Sequence, residues 1–286
     1  IVIFYPKNDQ VKRLNASKVH KRVCIEVAMS NEETVNILDR ILETKRKEVA
    51  RKSGEVSLEE MKKRAARTEF EIRGFRQALS EQVALKKPAI IAELKKASPS
   101  KGVIRENFDI FALARAYERG HATCLSVLTD FDYFQGHGSF LKVVRESVDL
   151  PLLRKDFIID EYQVYESRVL GADAILLIAA AMPAEKLEEL FKIARSLGLD
   201  VLIEVHTHEE YESVKHLGSD AIMGVNNRDL KTFKIDTKIT VEINKLLPEG
   251  QWLVCESGIH KPEQVEAMKA EGVYAFLVGE AFMRFE

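Results

Sequence analysis

With 286 residues, Lys+Arg 43 against Asp+Glu 45 and a net charge of −2, the chain can bury a barrel-sized core and lacks the basic excess that a nucleic acid or an acidic membrane surface would require. Its three cysteines, Cys24, Cys124 and Cys255, are far apart with no Cys-x-x-Cys spacing, and read as buried thiols in a reducing compartment. No apolar run approaches the ~20 residues that span a bilayer, and Ile1–Tyr5 lacks the basic start and apolar region of a secretory signal, so a cytoplasmic protein is expected.

Residues 1–28 are basic and irregular, with Lys12-Arg13, Lys18 and Lys21-Arg22 but no clear period. They read either as the tail of a fused upstream domain or as sequence ahead of the true start, and residues 29–286 as the folded unit. Ser30-Asn31-Glu32-Glu33 predicts a helix N-cap with acidic residues in the first turn. The helix should run to about Lys52, with Ile37, Ile41 and Val49 among its apolar positions. The basic stretch Met61-Lys62-Lys63-Arg64 reads as a solvated helix face.

From Pro88 onward one beat repeats. Apolar strands are predicted at Ala89–Leu94, Cys124–Leu128, Leu150–Arg154, Ala174–Ile178, Val201–Val205, Ala221–Val225, Trp252–Cys255 and Ala275–Val278. Amphipathic helical stretches such as Ile110–Glu118, Ala184–Ser196 and Glu209–His216 separate them. Gly171, Gly218 and, more loosely, Gly120 and Gly272 precede strands and read as left-handed residues closing the helices. Near-continuous apolar strands alternating with helices mean a parallel sheet covered by helices, and eight units make a (β/α)8 TIM barrel with an N-terminal helical extension. No Gly-x-Gly-x-x-Gly follows a strand, which disfavours an open dinucleotide-binding sheet. The chain closes at Phe285-Glu286, where a final helix has barely begun. An apolar patch is therefore expected on the outer faces of the first and last strands, in a destabilised or aggregation-prone molecule.

Such a barrel puts its chemistry at the C-terminal ends of its strands. Strand 1 ends in Glu93 and Lys95, which strand alternation points to one side, just before Ser98-Pro99-Ser100-Lys101-Gly102. Two charges facing a barrel interior beside a loop rich in hydroxyls and N–H donors are costly without a role. Lys155-Asp156, Glu204, Asn226 with Arg228, Glu256-Ser257-Gly258 and Gly279-Glu280 end strands 3, 5, 6, 7 and 8. Strand 4 runs into Ala179-Ala180-Ala181 and offers no chemistry. Gly258 and Gly279 fall where barrels hold a phosphate on backbone N–H groups. Arg228-Asp229 is read first as a structural pair holding its loop. His206-Thr207-His208 has a metal-like spacing, but no further cluster completes a site.

These strings resemble the indole-3-glycerol phosphate synthase family, the barrel enzymes of tryptophan biosynthesis. The resemblance rests on Ile91-Ala92-Glu93-Leu94-Lys95-Lys96-Ala97-Ser98-Pro99-Ser100-Lys101-Gly102, Leu153-Arg154-Lys155-Asp156-Phe157 and Glu204-Val205-His206. It extends through Gly224-Val225-Asn226-Asn227-Arg228-Asp229-Leu230 and Glu256-Ser257-Gly258-Ile259, covering roughly residue 35 to the C-terminus. It implies ring closure of carboxyphenylamino-deoxyribulose phosphate with loss of carbon dioxide and water. Lys155 would be the general acid, in a site that lowers its pKa toward working pH. Glu204 and Glu93 would handle protons, and Lys95 would hold the substrate carboxylate and later assist dehydration. Asn226, Glu256 and Arg228 would contact the intermediate, and Ser98, Ser257, Gly258, Gly279 and the Glu280 backbone would bind phosphate. The resemblance implies no metal or organic cofactor, and a monomer working on a small phosphorylated molecule, alone or fused to or associated with other tryptophan-pathway enzymes. Two rival readings are a Schiff-base aldolase using Lys155 and a non-catalytic phosphate-binding barrel.

Overall fold

The structure is a computed structural model that describes residues 36–229 and 232–284. The expected Ser30 cap and the irregular stretch 1–28 lie outside them. Eight parallel strands close in chain order into one barrel: β1 (Ala89–Leu94), β2 (Cys124–Leu128), β3 (Leu152–Lys155), β4 (Ala174–Ile178), β5 (Asp200–Val205), β6 (Ile222–Asn226), β7 (Leu253–Glu256) and β8 (Ala275–Val278). The expected (β/α)8 fold stands, with β3, β6 and β7 each running one residue further toward the polar end than the apolar runs alone indicate.

Among the described residues three helices precede the barrel: α1 (Ile37–Glu55), α2 (Leu58–Arg67) and α3 (Phe75–Ala84). Asn36 caps α1 by accepting from Leu38 N at 3.3 Å, and the helix ends three residues beyond Lys52. Eight further helices follow: α4 (Ile110–Arg119), α5 (Gly138–Ser147), α6 (Glu161–Val169), α7 (Ala184–Ser196), α8 (His208–Val214), α9 (Lys238–Asn244), α10 (Pro262–Ala270) and the short α11 (Glu280–Met283). The described residues form one compact unit.

Side-chain alternation divides each strand between two cores. Outward residues such as Leu125, Val127, Ile175, Leu177, Val201 and Ile203 pack beneath the helices. Inward residues Ile91, Leu153, Leu176, Leu202, Val254 and Leu277 fill the barrel, and Phe75 and Leu79 of α3 join them as a plug. Two carboxylates at strand starts seat that plug. Asp173 accepts from Arg73 N at 2.7 Å, Leu152 N at 2.8 Å and Arg145 Nη1 at 2.7 Å, while Asp200 accepts from Arg76 N at 2.8 Å in the first turn of α3. In Gly171-Ala172-Asp173 and Gly198-Leu199-Asp200 a left-handed glycine precedes the strand and the aspartate two residues on seats the plug, a role the sequence alone did not indicate.

Gly171, Gly218 and Gly272 take positive φ as expected, but Gly120 does not: its φ is −77°, and His121 takes the left-handed position at φ 59°. Cys124 and Cys255 are free and buried, and Cys24 lies outside the described residues. The apolar patch expected on the outer faces of β1 and β8 is not there. Ala92, Leu94, Phe276 and Val278 are buried in the outer core, where Phe282 packs on Tyr117 with ring centroids 5.7 Å apart. The final turn supplies the cover that the sequence reading assigned to a longer helix. No described helix is long and apolar enough to cross a membrane.

Candidate active site

Moving up the barrel interior from the α3 plug, apolar side chains give way to charged or polar ones at the last inward position of β1, β3, β5, β6 and β7. Glu93, Lys155, Glu204, Asn226 and Glu256 converge there around one cavity at the C-terminal ends of the strands. All twelve residues expected at the site line that cavity, including Lys95, Ser98, Arg228, Ser257, Gly258, Gly279 and Glu280. Ile37, Leu38 and Ile41 of α1 and the rings of Phe134, Phe157 and Phe233 add apolar walls that the sequence reading did not assign to the site.

Lys155 Nζ sits between two buried carboxylates, 3.0 Å from Glu204 Oε2 and 3.1 Å from Glu256 Oε2. Lys95 pairs with Glu93 on the opposite side of the cavity floor. Asn226 Nδ2 donates to Glu204 Oε1 at 3.2 Å, and its Oδ1 accepts from Ser257 Oγ at 2.8 Å and Arg228 N at 3.1 Å. Asn226 thus ties the carboxylate centre to the β7 loop. The Arg228 guanidinium reaches Glu280 at 3.9 Å, while Asp229 caps its own turn by accepting from Thr232 N at 2.6 Å.

Two glycines are required by close approach. A Cβ at Gly224 would fall on the Glu256 carboxylate, and one at Gly279 on the Glu93 carboxylate. The side chain missing from one strand is the space that its neighbour's acid occupies. After β7, Ser257 and Gly258 are both left-handed, at φ 62° and 88°, and turn the chain sharply at the rim.

The electrostatics correct one expectation. Burial pulls the Lys155 ammonium down, but the Glu204, Glu256 and Glu93 carboxylates outweigh it and the net shift is upward, not toward working pH. Burial opposes ionisation of Glu204, yet Lys155 and His206 hold it well below the usual carboxylate range. Burial pushes Glu256 up, Lys155 pulls it back, and the nearby Glu204 charge leaves it at about 8. The site therefore favours the Lys155 ammonium and the Glu204 carboxylate, and pushes Glu256 toward its neutral form.

His206, whose spacing suggested only a metal ligand, contacts this centre instead. Its Nε2 lies 3.3 Å from Glu204 Oε1 and its Nδ1 3.2 Å from Glu210 Oε2. Burial lowers its pKa, but the two carboxylates raise it to about 10. The sequence signal was a histidine two residues after a strand-end glutamate, on the same face of the strand.

These shifts fix the pH dependence of stability. His206 is raised, so its contribution is complete below 6.5 and is lost as pH climbs toward 10. Glu256 holds a proton in the fold that the unfolded chain releases above 4.5, so it too makes stability fall as pH rises toward 8. Glu204 and Asp156 are depressed, and their contribution is lost as pH falls below the ordinary carboxylate range. Thermal melts should give the highest midpoint at roughly pH 5, between the loss from Glu204 and Asp156 on the acid side and that from Glu256 and then His206 on the basic side. A midpoint that stays level from there to pH 10 would contradict this charge assignment.

Solved structures share the fold at low identity. The N-acetylmannosamine-6-phosphate 2-epimerase from Clostridium perfringens is 17% identical with a TM-score of 0.54, covering 71% of this chain and 91% of that one. The tryptophan synthase subunit alpha from Legionella pneumophila str. Paris is 13% identical with a TM-score of 0.55, covering 74% and 88%. The tryptophan synthase complex from Pyrococcus furiosus matches at 13% identity and a TM-score of 0.51, covering 68% and 88%. At these identities the likeness is one of fold alone. The family model for indole-3-glycerol phosphate synthase matches residues 38–286, the whole barrel together with α2, α3 and all but the first residue of α1, and the chain belongs to that family of carboxy-lyases.

Proposed function

We propose that this chain closes the indole ring of carboxyphenylamino-deoxyribulose phosphate. The observation that carries the reading is Lys155, a firmly protonated ammonium held between Glu204 and Glu256 on the cavity floor. In the reaction a bond forms between the aromatic carbon bearing the carboxylate and the ketone carbon. The ketone oxygen takes a proton from Lys155, and the carboxylate leaves as carbon dioxide, returning its electron pair to the ring. Loss of the new hydroxyl and a proton as water completes the indole.

Each end of the substrate has a complementary wall. Lys95 supplies a cation for the aromatic carboxylate, and the apolar faces of α1, Phe134 and Phe157 suit the aromatic ring. The sharp turn at Ser257-Gly258, the Ser98 hydroxyl and the opening of α11 at Gly279-Glu280 suit the phosphate. The first N–H groups of a helix have no partner within it and accept an anion. Glu204, ionised and tied to Lys155, is the base for the departing proton, with Glu93 as its counterpart across the floor. Asn226 and Arg228 hold the intermediate, joined by Glu256, whose buried Oε1 has no hydrogen-bond partner among the described residues. No step needs a metal or an organic cofactor.

The upward shift of Lys155 favours this reading over a Schiff-base aldolase, because an imine-forming lysine must release its proton first. Turnover followed by mass spectrometry should yield a product lighter by one carbon dioxide and one water. Borohydride added during turnover should leave the protein mass unchanged. A borohydride-trapped adduct on Lys155 would overturn the reading.

A further inference from the structure

Helix α1 lies across the cavity as its apolar wall, yet only its first turns are seated by apolar side chains. Further along, the buried position is Lys45, at 1% exposure. Its ammonium is 2.8 Å from Asp156 Oδ1, 2.9 Å from Asp130 Oδ2 and 2.7 Å from Glu48 Oε2. From Asp156 the contacts run on: Arg154 Nη2 at 3.1 Å, from there to Glu166 Oε2 at 2.8 Å, then Glu166 Oε1 to Lys52 Nζ at 2.9 Å. Lys52 returns to Glu48 Oε1 at 2.8 Å. Six side chains of alternating sign therefore close a ring, and three of them, at positions 45, 48 and 52, share one face of α1.

The ring meets the site at one place. Arg154 and Asp156 are the immediate neighbours of Lys155: strand alternation sends Arg154 outward while Lys155 points into the barrel, and Asp156, just past the end of β3, lines the same cavity. Thr129 Oγ1 adds a hydrogen bond to Asp156 Oδ2 at 2.6 Å. Helix α1 thus reaches the residue after the central lysine through Lys45 and the Asp156 carboxylate, and the residue before it through Lys52, Glu166 and Arg154, while Ile37, Leu38 and Ile41 of the same helix wall the cavity.

We propose that this ring is the latch that seats α1 over the cavity, and that Lys45 is a positioning residue for substrate binding. The proposal rests on the ring-closure reading for its substrate and on the ring geometry for its mechanism. Lys155 is held from inside the barrel by Glu204 and Glu256, so loss of the latch moves the wall more than the acid. Lys45→Met should raise KM by ~10-fold or more and change kcat by less than ~3-fold, measured well below the melting temperature. Amide exchange in α1 should quicken in the same protein.

Lys45→Met also strips the buried Asp130 carboxylate of its cation and leaves the Asp156 carboxylate with Arg154 alone, so its melting temperature will fall. Adding Asp130→Asn removes one of them, and should restore much of the melting temperature while KM stays high. Lys52→Met opens the ring at its more exposed end, where less buried charge is stranded, and should raise KM by ~3-fold. Lys47→Met, on the solvent face, should change nothing. A normal KM with unchanged α1 exchange in Lys45→Met would overturn the latch, and if that variant does not fold, a normal KM in Lys52→Met would do so. A parent protein that makes no product would instead remove the ring-closure reading, and the latch would then be judged on α1 exchange alone.

Discussion

Replacing Lys155 by methionine is expected to lower kcat by between about 10²- and 10⁴-fold, the usual contribution of a positioned general acid. The side chain reaches the cavity floor from the end of β3, and no other cation contacts both Glu204 and Glu256 among the described residues. The folded state should survive the change. Removing one partner of a buried pair commonly costs about 3–5 kcal/mol, but here the stranded charge is largely that of Glu204. That group keeps Asn226 Nδ2 at 3.2 Å and His206 at 3.3 Å, while burial and the Glu204 charge already push Glu256 toward its neutral form. Activity should therefore collapse while the melting temperature moves by a few degrees. Lys155→Arg should not rescue, because the guanidinium fork needs more room and sets its donors in a plane. Steady-state rates and calorimetry on the same samples check both halves, and a Lys155→Met protein within ~10-fold of the parent kcat would contradict the assignment.

Glu204→Gln should lower kcat by ~10²-fold or more, for a different reason. The amide keeps a similar shape and can still meet Asn226 and His206, but it can neither accept the departing proton nor keep the Lys155 ammonium in balance. Because Glu204 and Lys155 act as one hydrogen-bonded unit, their losses should not add. The Lys155→Met, Glu204→Gln double variant should be about as slow as the slower single variant. Additive losses, measured as a double-mutant cycle in kcat, would mean that the two residues serve independent steps.

Much of this site was legible before the structure. Strand alternation places Glu93, Lys155, Glu204 and Glu256 on the inward face, and the barrel rule gathers strand ends at one rim. What local pattern cannot carry is the arithmetic of several charges at once. Burial alone argues for a lowered Lys155 pKa, but three carboxylates from three other strands reverse it. Lys45 escaped for the same reason. On the helix wheel it is a polar residue in a charged stretch, and only the fold brings Asp130 and Asp156 to meet it. The mistaken outer patch on β1 and β8 came from counting residues in a final helix. One turn, with Phe282 against Tyr117, supplies the cover.

The most direct measurement is the time course of indole fluorescence when purified protein meets carboxyphenylamino-deoxyribulose phosphate, with released carbon dioxide counted in parallel. The account predicts fluorescence and carbon dioxide rising together in a one-to-one ratio in the parent protein, with neither detectable on that timescale in Lys155→Met. No fluorescence from a correctly folded parent, or equal signals from the two proteins, would contradict it.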